Sequence, residues 1–140
     1  MGRILGIDYG RRRCGLAVTD PMRIVASPLD TVETGRLLDF ALKYVQSNGV
    51  DLIVVGHPTT LSGEPLESMN YIQPFVTGLR RRLPDGVEVV MYDERFTSTL
   101  AHKAMIDGGL GKKRRQDKAL VDRTAATIIL NDYLQSIYNK

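Results

Sequence analysis

The sequence has a single cysteine, Cys14, among its 140 residues. One cysteine excludes an intrachain disulfide and a cysteine-based zinc cluster. It falls in a predicted strand, where a small apolar filler is the ordinary role for such a residue. No stretch approaches the length of a transmembrane segment, and the N-terminus enters a strand without a signal-peptide pattern. We therefore expect a cytoplasmic protein that has no membrane partner.

The composition is that of an ordinary globular chain. Hydrophobic residues make up 43% of it and charged residues 25%, enough for a conventional core and too little charge for disorder. We expect a single domain over residues 1–140. The net charge of +3 does not by itself indicate a nucleic-acid partner. Its distribution is more informative, because the basic residues cluster at 11–13, 80–82 and 112–115.

Hydrophobic periodicity predicts a leading antiparallel meander followed by β/α units. That order gives an α/β fold with a five-stranded mixed sheet flanked by helices. The continuous apolar run at 52–55 is typical of a buried parallel strand. The predicted strands cover 3–8, 14–20, 23–32, 52–55 and 87–92, and the predicted helices cover roughly 35–47, 69–83, 98–107 and 118–138.

Local signals predict where these elements begin, end or are interrupted. Thr34 is a candidate N-cap for the first helix, and Asn48-Gly49 is its stop signal. Pro28 interrupts the third strand. Pro74 lies inside the second helical pattern, so we expect a kink or a break there.

Three acidic residues lie at the ends of predicted elements, namely Asp8, Glu94 and Asp122. In the predicted order the first, fourth and fifth strands run parallel, so Asp8 and Glu94 meet at the carboxyl edge of the sheet, where open α/β sheets have their sites. Asp122 is four residues before Ala126, so it shares the core-facing stripe of the last helix. We also expect Asp122 in the first turn, where the helix dipole favours an anion. Asp93 competes with Glu94 as the second acid.

Converging carboxylates are costly unless a cation neutralises them. Their expected use is phosphodiester hydrolysis with two divalent ions about 4 Å apart. Oxygen-only ligands favour Mg²⁺ or Mn²⁺ over zinc. In the alternative interpretation, Asp8 caps a turn, Glu94 is a surface charge and Asp122 serves the helix dipole.

Three segments resemble the motifs of one family. Ile7-Asp8-Tyr9-Gly10, with Arg12, Gly15, Ala17 and Val18 after it, resembles the opening motif of the pre-16S ribosomal RNA nucleases, relatives of Holliday junction resolvases. Residues 93–98, Asp-Glu-Arg-Phe-Thr-Ser, are similar to the second acidic motif of that family. Residues 118–134 are similar to its closing helix. The turn at 56–58 departs from the pattern, with Gly-His-Pro where the family has Gly-Leu-Pro, and the loop 59–67 is also less typical.

This resemblance covers the whole chain and implies a ribonuclease H-like fold. It implies that Asp8, Glu94 and Asp122 are the catalytic acids and metal ligands, and that the activity is trimming of the 5′ end of precursor 16S rRNA. The expected partners are nucleic acid, above all precursor rRNA, together with ribosomal particles. Basic side chains near the three motifs are expected to bind the nucleic acid, namely Arg11, Arg12, Arg13, Arg95, Lys112, Lys113, Arg114, Arg115 and Lys118.

Other functions remain open at this stage. The spacing of Asp8, Gly10 and Gly15 resembles the phosphate-binding hairpin of sugar kinases and actin-like ATPases, but those proteins need two such domains. A nucleic-acid-binding scaffold with structural acids would bind in EDTA and cleave nothing. Holliday junction resolution is the nearest enzymatic alternative. The sequence shows no dedicated dimer element, so we expect a monomer or a weak dimer.

Overall fold

The computed structural model describes residues 2–57, 69–93 and 118–138, and for positions 57, 69, 93 and 118–122 it describes the backbone only. Within these ranges the chain forms five strands, three α-helices and one short 3₁₀ helix over Thr34–Arg36. The strands are β1 Arg3–Asp8, β2 Arg13–Thr19, β3 Ala26–Glu33, β4 Val50–His57 and β5 Glu88–Asp93, and the helices are α1 Leu37–Asn48, α2 Met69–Arg82 and α3 Lys118–Tyr138. The predicted loop at 59–67 and helix at 98–107 lie outside the described residues.

The five strands form one mixed sheet in the order β3-β2-β1-β4-β5. The first three are antiparallel to one another, whereas β1, β4 and β5 run parallel. Of the parallel strands, β1 and β4 are internal and β5 lies at one edge of the sheet. The run Ile53-Val54-Val55 of β4 is fully buried. The predicted fold class, a mixed five-stranded sheet flanked by helices, is confirmed.

Helices cover both faces of the sheet. Because side chains alternate along a strand, Leu5 and Ile7 of β1 face a core that they share with buried residues of α1 and α2. Ile4 faces the opposite core, which contains Ala126, Leu130 and Leu134 of α3. We call these two sides the α1/α2 face and the α3 face.

Two of the local predictions are wrong, and of the kink or break expected at Pro74 a break is excluded. Thr34 does not cap α1, because its hydroxyl donates to the carbonyl of Gly10 (2.7 Å) and the helix begins at Leu37 without a side-chain cap. Pro74 does not break α2, which is continuous from 69 to 82. The carbonyl that Pro74 leaves without a helical donor belongs to the exposed Asn70, where water can replace it.

The third strand begins at Ala26 rather than at residue 23. The Asp20 carboxylate accepts hydrogen bonds from the backbone N–H groups of Met22, Ile24 and Val25, which holds the chain in a turn up to that point. Those bonds lower the pKa of Asp20 below its usual value. The predicted interruption near Pro28 is a register shift of the β2–β3 pairing at Leu29.

Gly49 confirms the predicted end of α1, because it has the left-handed backbone (φ 65°) typical of a residue just beyond a helix C-terminus. Gly6 has a different role. A Cβ at this position would lie 3.1 Å from the Cβ of Leu130, so the absent side chain lets α3 lie close against β1.

This close approach predicts strong coupling between Gly6 and Leu130. Leu130→Ala should destabilise the protein by about 2–5 kcal/mol, because Leu130 is fully buried. Gly6→Ala should also destabilise, by about 1–3 kcal/mol, through overpacking. In the double variant the new methyl group would occupy part of the cavity, so the combined loss should be smaller than the sum.

Urea denaturation of the four proteins measures this coupling as a double-mutant cycle. Gly35→Ala is the control, because a Cβ at Gly35 would meet nothing within 4 Å. Additive losses at Gly6 and Leu130 would contradict the predicted packing of α3 on β1.

Candidate nuclease site at the carboxyl edge of the sheet

Asp8 is the last residue of β1 and lies at the carboxyl edge of the three parallel strands. It pairs with Gly15 of β2 on one side and with Gly56 of β4 on the other, so two glycines flank it in the sheet. The alternation of β1 puts Asp8 on the same face as Ile4 and Gly6, which is the α3 face. It is half-buried there.

Two contacts fix the direction of α3 across β1. Leu130 lies against Gly6, and near the other end of β1 the hydroxyl of Tyr138 donates to the carbonyl of Arg23 (2.6 Å). Arg23 in turn donates from Nε to the carbonyl of Gly2 (2.8 Å). The C-terminus of α3 therefore lies at the start of β1, and the helix runs antiparallel to the strand. Its N-terminal half must extend toward the end of β1, where Asp8 lies.

Asp122 belongs to that N-terminal half. It is the fifth residue of α3, so the expectation that it lies in the first turn is wrong, and no acidic residue lies there. Asp122 is eight residues before Leu130, a rise of about 12 Å, and Asp8 is two strand residues, about 6.6 Å, beyond Gly6. Measured from the Leu130–Gly6 contact, the two backbone positions therefore differ by about 5 Å along the strand direction. Lys118 begins the same helix.

The end of β5 adds the third position. Asp8 pairs with Gly56, and Gly56 pairs with Tyr92, so Asp8 and Tyr92 stand at one level of the sheet. Tyr92 packs on the α3 face, with its ring edge-on to that of Tyr133 (5.7 Å between centroids). β5 ends at Asp93. Glu94 and Arg95 lie outside the described residues, as do Lys112, Lys113, Arg114 and Arg115.

The turn between β1 and β2, residues 9–12, is tied to the start of the α1 region. The Thr34 hydroxyl donates to the carbonyl of Gly10, and the Thr34 N–H donates to the carbonyl of Arg12 (3.0 Å). Cys14 is fully buried, and its Sγ accepts from the N–H of Gly10 (3.4 Å). The prediction that Cys14 is a buried apolar filler is thus confirmed. Its hydrogen bond with Gly10 also stabilises the turn beside Asp8.

This turn presents the first basic cluster at the carboxyl edge. Arg11 and Arg12 are exposed and Arg13 is half-buried. Arg11 donates from Nη2 to the hydroxyl of Tyr71 (2.9 Å), and its guanidinium carbon lies 4.8 Å from the centre of that ring. Tyr71 is not among the site residues that the sequence predicts. The available signal was a tyrosine beside the apolar stripe of an amphipathic helix.

Tyr9 and the second basic cluster have structural surroundings. The Tyr9 ring packs against Phe75 with 5.3 Å between centroids, on the α1/α2 face of the sheet. Burial, and secondarily the neighbouring Cys14, raise the pKa of Tyr9 above its usual value. Arg80 donates to the carbonyl of Val89 (3.0 Å), so this member of the cluster at 80–82 links α2 to β5.

The described residues contain no cluster of three or more His, Cys, Asp or Glu side chains suited to a metal ion. Of the three predicted carboxylates, only that of Asp8 belongs to this set. In the same part of the chain, no helix is both long and apolar enough to cross a membrane.

Comparison with known proteins identifies the family. The sequence profile of the RuvX family, described as Holliday junction resolvase, matches residues 2–136. The chain belongs to this family. A protein of Phocaeicola vulgatus is 57% identical over 136 residues, with 97% of each chain covered, and one of Parabacteroides distasonis is 51% identical, with 97% of this chain and 96% of its own covered. Both are named "Putative pre-16S rRNA nuclease".

The fold is also that of a protein of known structure. Thermus thermophilus RuvC, in a structure described as a complex with Holliday junction substrate, superposes with a TM-score of 0.60 at 19% identity, covering 99% of this chain and 96% of RuvC. A second T. thermophilus RuvC structure superposes with a TM-score of 0.59 at 17% identity, covering 98% and 96%. The ribonuclease H-like fold is therefore confirmed, and family membership makes this RuvX protein a nuclease, a hydrolase that acts on nucleic acid.

The tie between Thr34 and the β1–β2 turn can be tested by a nearly isosteric change. Thr34→Val should destabilise the protein by about 1–3 kcal/mol, because it removes the donor to the half-buried carbonyl of Gly10 while keeping the volume. Thr34→Ser retains the hydroxyl and should cost less. Urea denaturation of both variants gives the comparison, and equal losses would mean that the hydrogen bond is not what holds the turn.

Proposed function

We propose that the chain is a divalent-metal-dependent nuclease that processes the 5′ end of precursor 16S rRNA, with Asp8, Glu94 and Asp122 as its catalytic carboxylates. The observation that carries the assignment is the antiparallel course of α3 over β1, with Leu130 at Gly6 and Tyr138 near Gly2. This course brings the turn containing Asp122 toward the strand end that bears Asp8. The rRNA substrate follows from the names of relatives that share about half of the sequence.

Strand alternation supports Glu94 rather than Asp93 as the second acid. Val90 and Tyr92 pack on the α3 face, whereas Val89 and Met91 pack on the α1/α2 face. Glu94 is two positions after Tyr92, and residues two positions apart in a strand face the same side. Asp8 is also on the α3 face. A strand continued by one residue would therefore turn Glu94 toward the face that Asp8 occupies.

The donor chemistry fits a hard divalent cation. All three residues offer carboxylate oxygens, the ligands that Mg²⁺ and Mn²⁺ prefer. Asp8 is half-buried at a sheet edge, where a second and third carboxylate would be repelled without a cation. When bound, the metal would activate the attacking water and stabilise the leaving oxygen. The protein itself would hold the three carboxylates on one side of the carboxyl edge and bind the phosphates.

Basic side chains would bind the phosphates. Arg11 and Arg12 are exposed on the turn that follows Asp8, so they are suited to contact phosphates near the scissile bond. We propose the same role for Arg13, Arg95, Lys112, Lys113, Arg114, Arg115 and Lys118. Cationic side chains neutralise phosphates, so their contribution would be to affinity and its salt dependence.

A second substrate is favoured by a specific observation. The family profile is described as Holliday junction resolvase, and the RuvC fold is seen on a Holliday junction. Incubating the protein with precursor 16S rRNA and with a synthetic four-way DNA junction, each with Mg²⁺ or Mn²⁺ and with EDTA, separates the two. We expect metal-dependent shortening of the rRNA 5′ end. Cleavage of the junction alone would replace the rRNA assignment, and full activity in EDTA would rule out the metal.

Asp8→Asn should abolish cleavage and leave the fold intact. The change removes one ligand charge at constant shape, and we expect a fall in rate of about a thousandfold or more. Without metal the variant should be at least as stable as the wild type, because repulsion among the carboxylates is relieved. Single-turnover cleavage and thermal unfolding test both statements. A variant that cleaves at the wild-type rate would show that Asp8 is not a ligand.

Glu94→Gln should lose activity as severely as Asp8→Asn, whereas Asp93→Asn should be milder. The two neighbours form a matched pair, because each substitution removes one carboxylate charge and keeps the side-chain shape. Cleavage rates at saturating substrate and Mg²⁺ titrations distinguish them. The reverse order of severity would assign the metal to Asp93.

A further inference from the structure

The contact between Arg11 and Tyr71 has no evident part in the core. Tyr71 is 41% exposed and belongs to neither buried cluster. Arg11 is exposed as well, yet its guanidinium lies over the ring and donates to the phenol oxygen of the same residue. A hydrogen bond and a cation–π contact to one partner hold this long side chain in a fixed position on the surface.

The pair stands at the end of an aromatic series that begins beside the proposed cleavage site. Tyr9 follows Asp8 in sequence, and its ring packs against Phe75. Phe75 and Tyr71 are four residues apart on α2, so they share one helix face, about one turn apart. The series therefore lies on the α1/α2 side of the carboxyl edge, and it ends at the exposed Tyr71 and Arg11.

A flat, pre-positioned guanidinium–phenol stack is suited to one kind of ligand. Unpaired nucleobases stack on aromatic rings and on arginine planes, whatever their sequence. The donors of Arg11 that Tyr71 does not use can reach a phosphate. Bases inside an A-form duplex are already stacked and offer no free face, so a duplex would gain only the charge of Arg11.

We propose that Arg11 and Tyr71 form a subsite for an unpaired nucleotide, which makes single-stranded RNA beside the scissile bond the preferred substrate. This inference rests on the proposed nuclease function and deepens it. The strand would cross the carboxyl edge of the sheet, with its scissile phosphate on the α3 face at Asp8 and a flanking base on the α1/α2 face at Tyr71. The exposed Arg12 follows Arg11 on the same turn and would contact a neighbouring phosphate.

Binding to two labelled probes tests the subsite without relying on cleavage. The probes are oligouridine, which has little structure of its own, and an RNA duplex of equal length, both measured by fluorescence anisotropy in EDTA. Tyr71→Leu keeps apolar bulk but removes the ring, and it should weaken oligouridine binding roughly 5- to 150-fold. The same change should leave duplex affinity within about twofold. Ile24→Ala is the control, because it removes exposed apolar bulk near the opposite end of β1, and it should change neither affinity.

Two conservative variants separate stacking from charge and from folding. Tyr71→Phe keeps the ring and should bind oligouridine within about threefold of the wild type. Arg11→Lys keeps the charge but not the plane, so it should weaken oligouridine binding while the salt slope of log affinity stays unchanged. If Tyr71→Leu fails to fold, as judged by circular dichroism, these two variants decide the matter.

The subsite is overturned if Tyr71→Leu binds oligouridine as tightly as the wild type, if it weakens single-strand and duplex binding equally, or if the wild-type protein does not bind oligouridine. Failure of the proposed function is a separate outcome. It would appear as no cleavage of precursor rRNA by a wild-type protein whose oligouridine binding still depends on Tyr71. Conversely, metal-dependent cleavage that persists with no effect of Tyr71 on single-strand affinity would remove the subsite and keep the nuclease.

Discussion

The close packing of α3 on β1 is the constraint on which the proposed site depends. A methyl group at Gly6 would press on Leu130, so the strand can approach the helix only because this residue has no side chain. The same contact sets the position of α3 along the strand, and the Tyr138 hydrogen bond near the start of β1 sets its direction. Asp122 and Asp8 are far apart in sequence, and this one interface brings their backbone positions to the same end of the sheet.

Strand alternation then divides the carboxyl edge into two sides. Positions in phase with Ile4 and Tyr92 face α3, and positions in phase with Leu5 and Met91 face α1 and α2. Asp8 belongs to the first set, and Tyr9 to the second. The proposed cleavage site and the proposed nucleotide subsite can therefore lie on opposite faces of the carboxyl edge. A nucleic-acid strand that crosses this edge can contact both. The buried Cys14 and the Thr34 hydroxyl hold the turn that connects these two sides.

Among the similar proteins, the fold is retained at much lower sequence identity than that of the relatives. Relatives that are 51–57% identical align along nearly the whole chain, whereas RuvC keeps the same fold at 17–19% identity. A fold can persist at such low identity because it requires only apolar residues of suitable size at alternating positions, and many sequences satisfy that condition.

The sequence by itself determined the element order, the mixed five-stranded sheet and the candidate acids, since periodicity and the three matched motifs are local properties of the chain. The stop at Gly49 and the burial of Cys14 were also predictable, because each follows from the residue and its immediate neighbours. Tertiary structure alone decided that Thr34 bonds the turn at Gly10 instead of capping α1. It also decided the contact of Arg11 with Tyr71, residues that are 60 positions apart. These outcomes depend on which groups contact each other across long sequence separations. A local sequence pattern does not predict such contacts.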